Sequence, residues 1–346
     1  MTRDTSKSAC KSLRDTKKQK NCRKYNNIAK QVSQKLIDTW KSAGLPTQSV
    51  EGEEYLGDAS PNHGISIAIP EALPQRISSA VKLLDMICVF DTSQDVQDSH
   101  IGHLSWQAKK AIIKITSSVL LQNLLSSAGV VKTALLHARS LKLFSSVLPV
   151  TQDSFAELFP IRLYDFPCSI MMPGLAFVLG LKLSTNDAAR LQCLDAVSTA
   201  AMTLCNDILS WPKETVERVS SNTDPCSSMI IFLRQLDCDE RRALSQCRRK
   251  LMQFEMKAEL LADELLVDSC VSHNVKKMAR SYLLLISGFA TWQCTCKRYS
   301  SKGPVADLVR EVLEETLPLV ALDDAFEKEC EEILHGYFSI HQKYFK

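Results

Sequence analysis

Glycine is scarce in this 346-residue chain, at 11 residues, about half the usual share of roughly 7%. Folds built from many tight turns need backbone at positive φ, which glycine supplies, so the scarcity argues against β-sandwiches and barrels. No stretch alternates apolar and polar residues at period two, the pattern of a half-buried strand. No apolar run reaches the roughly 18 residues that a membrane-spanning helix needs. Residues 170–183 come nearest, and they carry Pro173 and Gly174. Residues 1–30 hold no apolar stretch, so a secretory leader is not expected.

The common catalytic signatures are missing too. There is no G-x-G-x-x-G, P-loop, H-E-x-x-H, C-x-x-C or G-x-S-x-G, which removes the main signal for dinucleotide, ATP, zinc-hydrolase and serine-hydrolase chemistry. Cys294 and Cys296 stand one residue apart, without matching partners for zinc. The net charge of +3 conceals an imbalance: residues 1–41 hold 12 lysines and arginines against 3 acids, leaving −6 on the rest. An acidic body with a basic arm is not the profile of a nucleic-acid-binding domain. The arm reads most simply as a solvated tail; attraction to an anionic surface is the other reading. The 13 cysteines are scattered through apolar runs such as 86–90 and 191–206. They point to reduced thiols in a cytoplasmic protein.

What the chain does have is helical periodicity. Its 45% hydrophobic and 23% charged residues suffice for a large core. Leu244, Cys247, Leu251, Phe254, Leu261 and Leu265 recur at steps of three and four, with a gap at Ala258. Val275, Met278, Tyr282, Leu285, Phe289 and Trp292 do the same. Both are apolar helix stripes. Residues 24–42, 72–90, 105–127, 153–181, 185–214 and 304–343 also read as helices, and 46–64 as a long loop. The expectation is an all-α bundle of roughly ten helices. No shift of composition argues for a second domain, so 1–24 is set apart as a basic arm and 25–346 as one helical domain.

The segment 205–214 carries the chemistry. Asn206, Ser210 and Glu214 fall at i, i+4 and i+8. On a helix this stacks an amide oxygen, a hydroxyl and a carboxylate along one face, about 6 Å apart per step. Hard oxygen donors suit Mg²⁺ bound largely through water and phosphate, and Lys213 beside them could meet phosphate charge. A plain helix end is the alternative, since Asn, Asp, Ser and Pro are all common there. A second cluster, Asp91, Asp95 and Asp98, follows the apolar run 81–90; it reads either as metal ligands or as a solvated helix terminus. Arg162 lies in an otherwise apolar neighbourhood, 159–165. A buried arginine needs a partner: Asp165 is the local choice, and a diphosphate, matched by the guanidinium fork, is the functional one.

With these residues in place, 206–214 resembles the second metal motif of class I terpene cyclases, N-D-x-x-S-x-x-K-E, at every defined position. Arg162 resembles that family's diphosphate-sensing arginine, and Arg298-Tyr299 its C-terminal Arg-Tyr pair. Residues 67–95 are similar to the N-terminal cyclase half of fungal chimeric diterpene and sesterterpene synthases of the fusicoccane type. The resemblance implies a single-domain helical bundle around a central apolar cavity. It implies three Mg²⁺ ions, held by Asp91, Asp95, Asn206, Ser210 and Glu214. Arg162, Lys213, Arg298 and Tyr299 would grip the diphosphate, with Phe90 and Trp292 lining the hydrocarbon pocket. Asp91, Arg162, Arg298 and Tyr299 are the expected catalytic set. The implied substrate is geranylgeranyl diphosphate, supplied by a separate prenyl diphosphate synthase and converted to a polycyclic diterpene. Farnesyl and geranylfarnesyl diphosphate are the alternatives, and a homodimer stays open. Thr92 replaces the second aspartate of the family's first motif, and Pro167-Cys168 stand where relatives carry a glycine. Looser closure follows from the first departure, and a catalytically impaired helical binding protein is the competing class. A chain-elongating prenyltransferase would carry two Asp-rich motifs, and this chain has one.

Overall fold

The computed structural model describes residues 25, 27–35, 38, 68–82, 154–166, 168–222, 224–295, 299, 302–317 and 320–344. The basic arm 1–24, the loop 46–64, the helix expected at 105–127, and Phe90, Asp91, Asp95 and Arg298 lie outside them. The described residues are helical, with no strand among them, as expected for an all-α chain. Eight helices are complete: α1 Phe155–Asp165, α2 Cys168–Leu179, α3 Thr185–Ser221, α4 Ser228–Gln235, α5 Glu240–Val267, α6 His273–Thr295, α7 Pro304–Glu314 and α8 Asp324–Tyr344. Residues 27–35 and 74–82 are helical as well. No helix among the described residues is long and apolar enough to cross a membrane. Contacts gather the chain into two compact units.

The first unit takes in Met1–Leu135, Met172–Lys182 and Ser287–Arg298. Within it, the Tyr25 hydroxyl donates to the Ala72 carbonyl at 2.7 Å, and the Leu73 N–H donates to the Val178 carbonyl at 2.9 Å. Arg76 donates to the Phe177 carbonyl and lies 5.0 Å from the centre of the Phe177 ring. Gly180 ends α2 at φ 74°, a left-handed conformation that L side chains rarely adopt.

The second unit holds Leu136–Met171, Leu183–Ile286 and Tyr299–Lys346. Its spine is α3, 37 residues long, or about 55 Å at 1.5 Å per residue. The helix starts at a capping box: the Ser184 hydroxyl accepts from the Asp187 N–H, and the Asp187 carboxylate accepts from the Ser184 N–H. Leu191, Leu194, Val197, Ala201, Leu204, Ile208 and Trp211 are all buried. Helix α5 packs along α3, α8 packs on α1, and α4 joins α1 and α5. On α5 the gap in the stripe turns out to be part of it: Ala258 is 0% exposed, whereas Leu251, Leu261 and Leu265 are only half-buried. A small side chain there lets a neighbouring element come close.

Three helix boundaries differ from expectation. The run 153–181 breaks at Phe166, whose ψ of 140° is extended; it precedes Pro167, and the proline ring disfavours helical backbone in the residue before it. The run 304–343 breaks after Glu314, four residues ahead of Pro318. Helix α3, by contrast, continues seven residues past Glu214 with Pro212 inside it. The fully buried Trp211 anchors that stretch, so packing overrides the hydrogen bond that proline removes.

Candidate active site on the α3 face

Six of the expected site residues, Arg162, Asn206, Ser210, Lys213, Glu214 and Tyr299, lie together in the second unit. Asn206, Ser210, Lys213 and Glu214 are carried by α3, and Arg162 comes from the last turn of α1. Ser210 is buried, and its hydroxyl donates to Glu214 Oε1 at 2.5 Å. Glu214 Oε2 is buried without a hydrogen bond, although the Ser227 hydroxyl lies close enough to favour the charged form. Burial, with the negative charge of Asp207 behind it, pushes the Glu214 carboxyl up to about 7. The Ser210 hydroxyl and the Arg162 guanidinium oppose that rise.

Arg162 is 6% exposed. Its Nε and Nη2 donate to Asp207 Oδ1 at 3.0 and 2.6 Å, and Nη2 also donates to Asn206 Oδ1 at 3.1 Å. Asn206 Nδ2 in turn donates to the Tyr299 hydroxyl at 2.9 Å. One chain of hydrogen bonds therefore runs from α1 through α3 to Tyr299, joining three residues picked out by the sequence. Arg162 forms its ion pair with Asp207 at 2.6 Å; the side chain of Asp165, the local choice considered from sequence, lies outside the described residues. Asp207 is what sequence reasoning missed. The available signal was an acid between the apolar pairs Leu204-Cys205 and Ile208-Leu209, where a charge marks a buried counter-charge. Lys213 points elsewhere, pairing with Glu217 at 3.0 Å. That bond is half-exposed and worth no more than about 1 kcal/mol.

The donor set fits a hard divalent cation. An amide oxygen, a hydroxyl and a buried carboxylate oxygen with no hydrogen bond share one helix face, and the unmet oxygen is the atom a cation would satisfy. Among the described residues no group of three or more His, Cys, Asp or Glu gathers to hold a metal, so a metal here relies on the amide and hydroxyl. Arg162 also lines a cavity of about 650 Å³ with Thr215, Arg218, Ile230 and Arg234. At about 100° per residue, Thr215 sits on the opposite side of α3 from Asn206, and Ser227, close to Glu214, lines the same hollow. Asp224 closes one wall, accepting from Arg218 Nε at 2.6 Å and from Arg234. Trp292 belongs to the first unit, where it is buried with its ring 5.7 Å from that of Phe289. Nothing in the described residues bears on Phe90, Asp91, Asp95 or Arg298.

No protein-family model matches the chain. Among characterised proteins it is 24% identical to fusicoccadiene synthase of Phomopsis amygdali over 71% of this chain and 38% of that protein. It is 22% identical to a bifunctional sesterterpene synthase of Aspergillus aculeatus over 76% of this chain and 40% of that protein. The chain thus spans about two fifths of the length of these relatives. Among solved structures, aristolochene synthase of Penicillium roqueforti superimposes with a TM-score of 0.64 at 14% identity, covering 79% of this chain and 95% of that one. The 2-methylisoborneol synthase of Streptomyces coelicolor, solved with Mg²⁺ and geranyl-S-thiolodiphosphate, does so with 0.56 at 16% identity, covering 79% and 92%. The chain is a homologue of the fungal chimeric fusicoccadiene and sesterterpene synthases, and its fold is that of the class I terpene cyclases.

Proposed function

We propose that this chain is a Mg²⁺-dependent class I terpene cyclase that ionises geranylgeranyl diphosphate and closes the resulting cation to a polycyclic diterpene. The observation that carries this reading is the part-buried hydrogen-bonded chain Arg162–Asn206–Tyr299 beside Ser210 and the half-satisfied carboxylate of Glu214. It puts a fixed guanidinium next to oxygen donors, which is what an allylic diphosphate with its counter-cations requires.

Asn206, Ser210 and Glu214 would hold one Mg²⁺ ion, and Asp91 with Asp95 two more. Bound there, the metal supplies positive charge to the diphosphate oxygens as the carbon–oxygen bond breaks. Arg162, Lys213, Arg298 and Tyr299 donate to the same oxygens, so the electron pair departs with the diphosphate. Trp292 and Phe90 are the proposed aromatic faces of an apolar chamber that keeps water from the cation. The C20 choice is supported by the relatives named fusicoccadiene synthase and bifunctional type I diterpene synthase. The sesterterpene synthases among the relatives favour the C25 diphosphate as the second reading. The chain spans only about two fifths of those relatives.

The test is incubation of purified chain with Mg²⁺ and each of the C15, C20 and C25 diphosphates, read by gas chromatography. A cyclic diterpene from the C20 substrate is expected. Product from the C25 substrate alone moves the assignment to sesterterpenes. No hydrocarbon or alcohol from any of the three overturns the function.

A further inference from the structure

Asp207 is fully buried and spends both carboxylate oxygens. Oδ1 receives Nε and Nη2 of Arg162 at 3.0 and 2.6 Å, and Oδ2 receives the backbone N–H of Ser228 at 2.8 Å. Ser228 is the first residue of α4, and the N-cap residue Ser227 makes no side-chain cap bond of its own. Asp207, 21 residues upstream, therefore caps α4 from outside. A carboxylate next to a site for a polyanion weakens that site's attraction, so its role as counter-charge to Arg162 does not by itself explain its presence there. Geometry does. Two donors of one guanidinium converging on one oxygen fix the plane of the fork, and the Ser228 N–H fixes the carboxylate that holds it. The contact of Arg162 with Asn206 Oδ1 uses the oxygen that a cation would claim, and the Asp207 contact does not compete with any cation for Asn206.

We propose that Asp207 is a positioning residue that aims Arg162 at the diphosphate and ties that aim to the start of α4. The inference rests on the diphosphate reading above. It gives α4 a part in substrate binding, although none of its residues belongs to the metal motif. The variants are Asp207→Asn, which keeps the shape and removes the charge, and Asp207→Glu, which keeps the charge and displaces it by one methylene. Arg162→Lys and the double variant Asp207→Asn/Arg162→Lys complete a cycle in the full chain. Each protein whose circular dichroism matches the native chain is titrated calorimetrically with inorganic diphosphate in excess Mg²⁺.

Asp207→Asn and Arg162→Lys are each expected to weaken diphosphate binding about tenfold, with the double variant no weaker than the worse single one, because the residues act as one unit. A purely structural Asp207 lowers the melting temperature but leaves the affinity of the folded protein unchanged. If every folded Asp207 variant binds diphosphate within about twofold of the native chain, or if the two single effects simply multiply, the inference is overturned. Native chain that binds no diphosphate takes down the proposed function and this inference together; native binding with an indifferent Asp207 takes down the inference alone.

Discussion

Asp195 lies on α3 three turns before Asn206, and it is the buried acid for which the proposed chemistry has no use. The Tyr282 hydroxyl on α6 donates to its Oδ1. Burial pushes its carboxyl from 3.8 up to about 7, and the tyrosine bond offsets only part of that rise. Because the folded-state value is the higher one, the folded chain keeps a proton that the unfolded chain gives up between about pH 4 and pH 7. Stability therefore falls across that window and is flat above it. The rise is about three units, and at 1.36 kcal/mol per unit the ceiling on the loss is about 4 kcal/mol at pH 8, against about 1.5 kcal/mol at pH 5. Asp195→Asn keeps an acceptor for Tyr282 and removes the titration. Its amide N–H₂ brings an unpaired buried donor, but that cost does not change with pH. The slope carries the test, not the absolute stability. Relative to the native chain, the variant should gain on the order of 5 °C in melting temperature between pH 5 and pH 8. Thermal unfolding followed by circular dichroism at both pH values measures it. A gap between variant and native chain that is the same at pH 5 and pH 8 refutes the reasoning.

Two further outcomes follow from α3 and α5. Mg²⁺ with inorganic diphosphate should raise the melting temperature of the native chain, because a ligand bound only by the folded state stabilises it. Ser210→Ala and Glu214→Ala should each abolish most of that shift, as differential scanning fluorimetry would show; an undiminished shift in both variants places the cation elsewhere. Ala258→Leu should destabilise the chain by about 1–3 kcal/mol, because three added carbons have no room at a fully buried alanine. Leu261→Ala, at a half-buried position of the same helix, should cost less; chemical denaturation that ranks the two the other way contradicts the packing of α5.

Local features of the site were legible in sequence because they depend on spacing within one helix. Asn206, Ser210 and Glu214 share a face whatever the rest of the chain does, and the capping box of Ser184 and Asp187 at the start of that helix is local as well, although Asp187 also accepts from Ser272. Periodicity could not see where a stripe crosses a break. The apolar pattern runs on through Phe166 and Pro167, but the backbone cannot, and a steric rule about the residue before proline outranks the hydrophobic repeat. The same rule points the wrong way at Pro212, where Trp211 is buried in the second unit and packing holds the helix together. Pairing across the chain was the least legible. Arg162 bonds to an acid 45 residues away, because α1 and α3 bring the two into contact. A buried arginine announces only that a counter-charge exists. Which acid supplies it depends on helix packing, and that packing is set by side chains such as Leu163, Leu204 and Ile208, none of which carries any chemistry. The residues that make the site recognisable and the residues that assemble it are thus different sets, and Asp207, which holds Arg162 and the start of α4, belongs to the second.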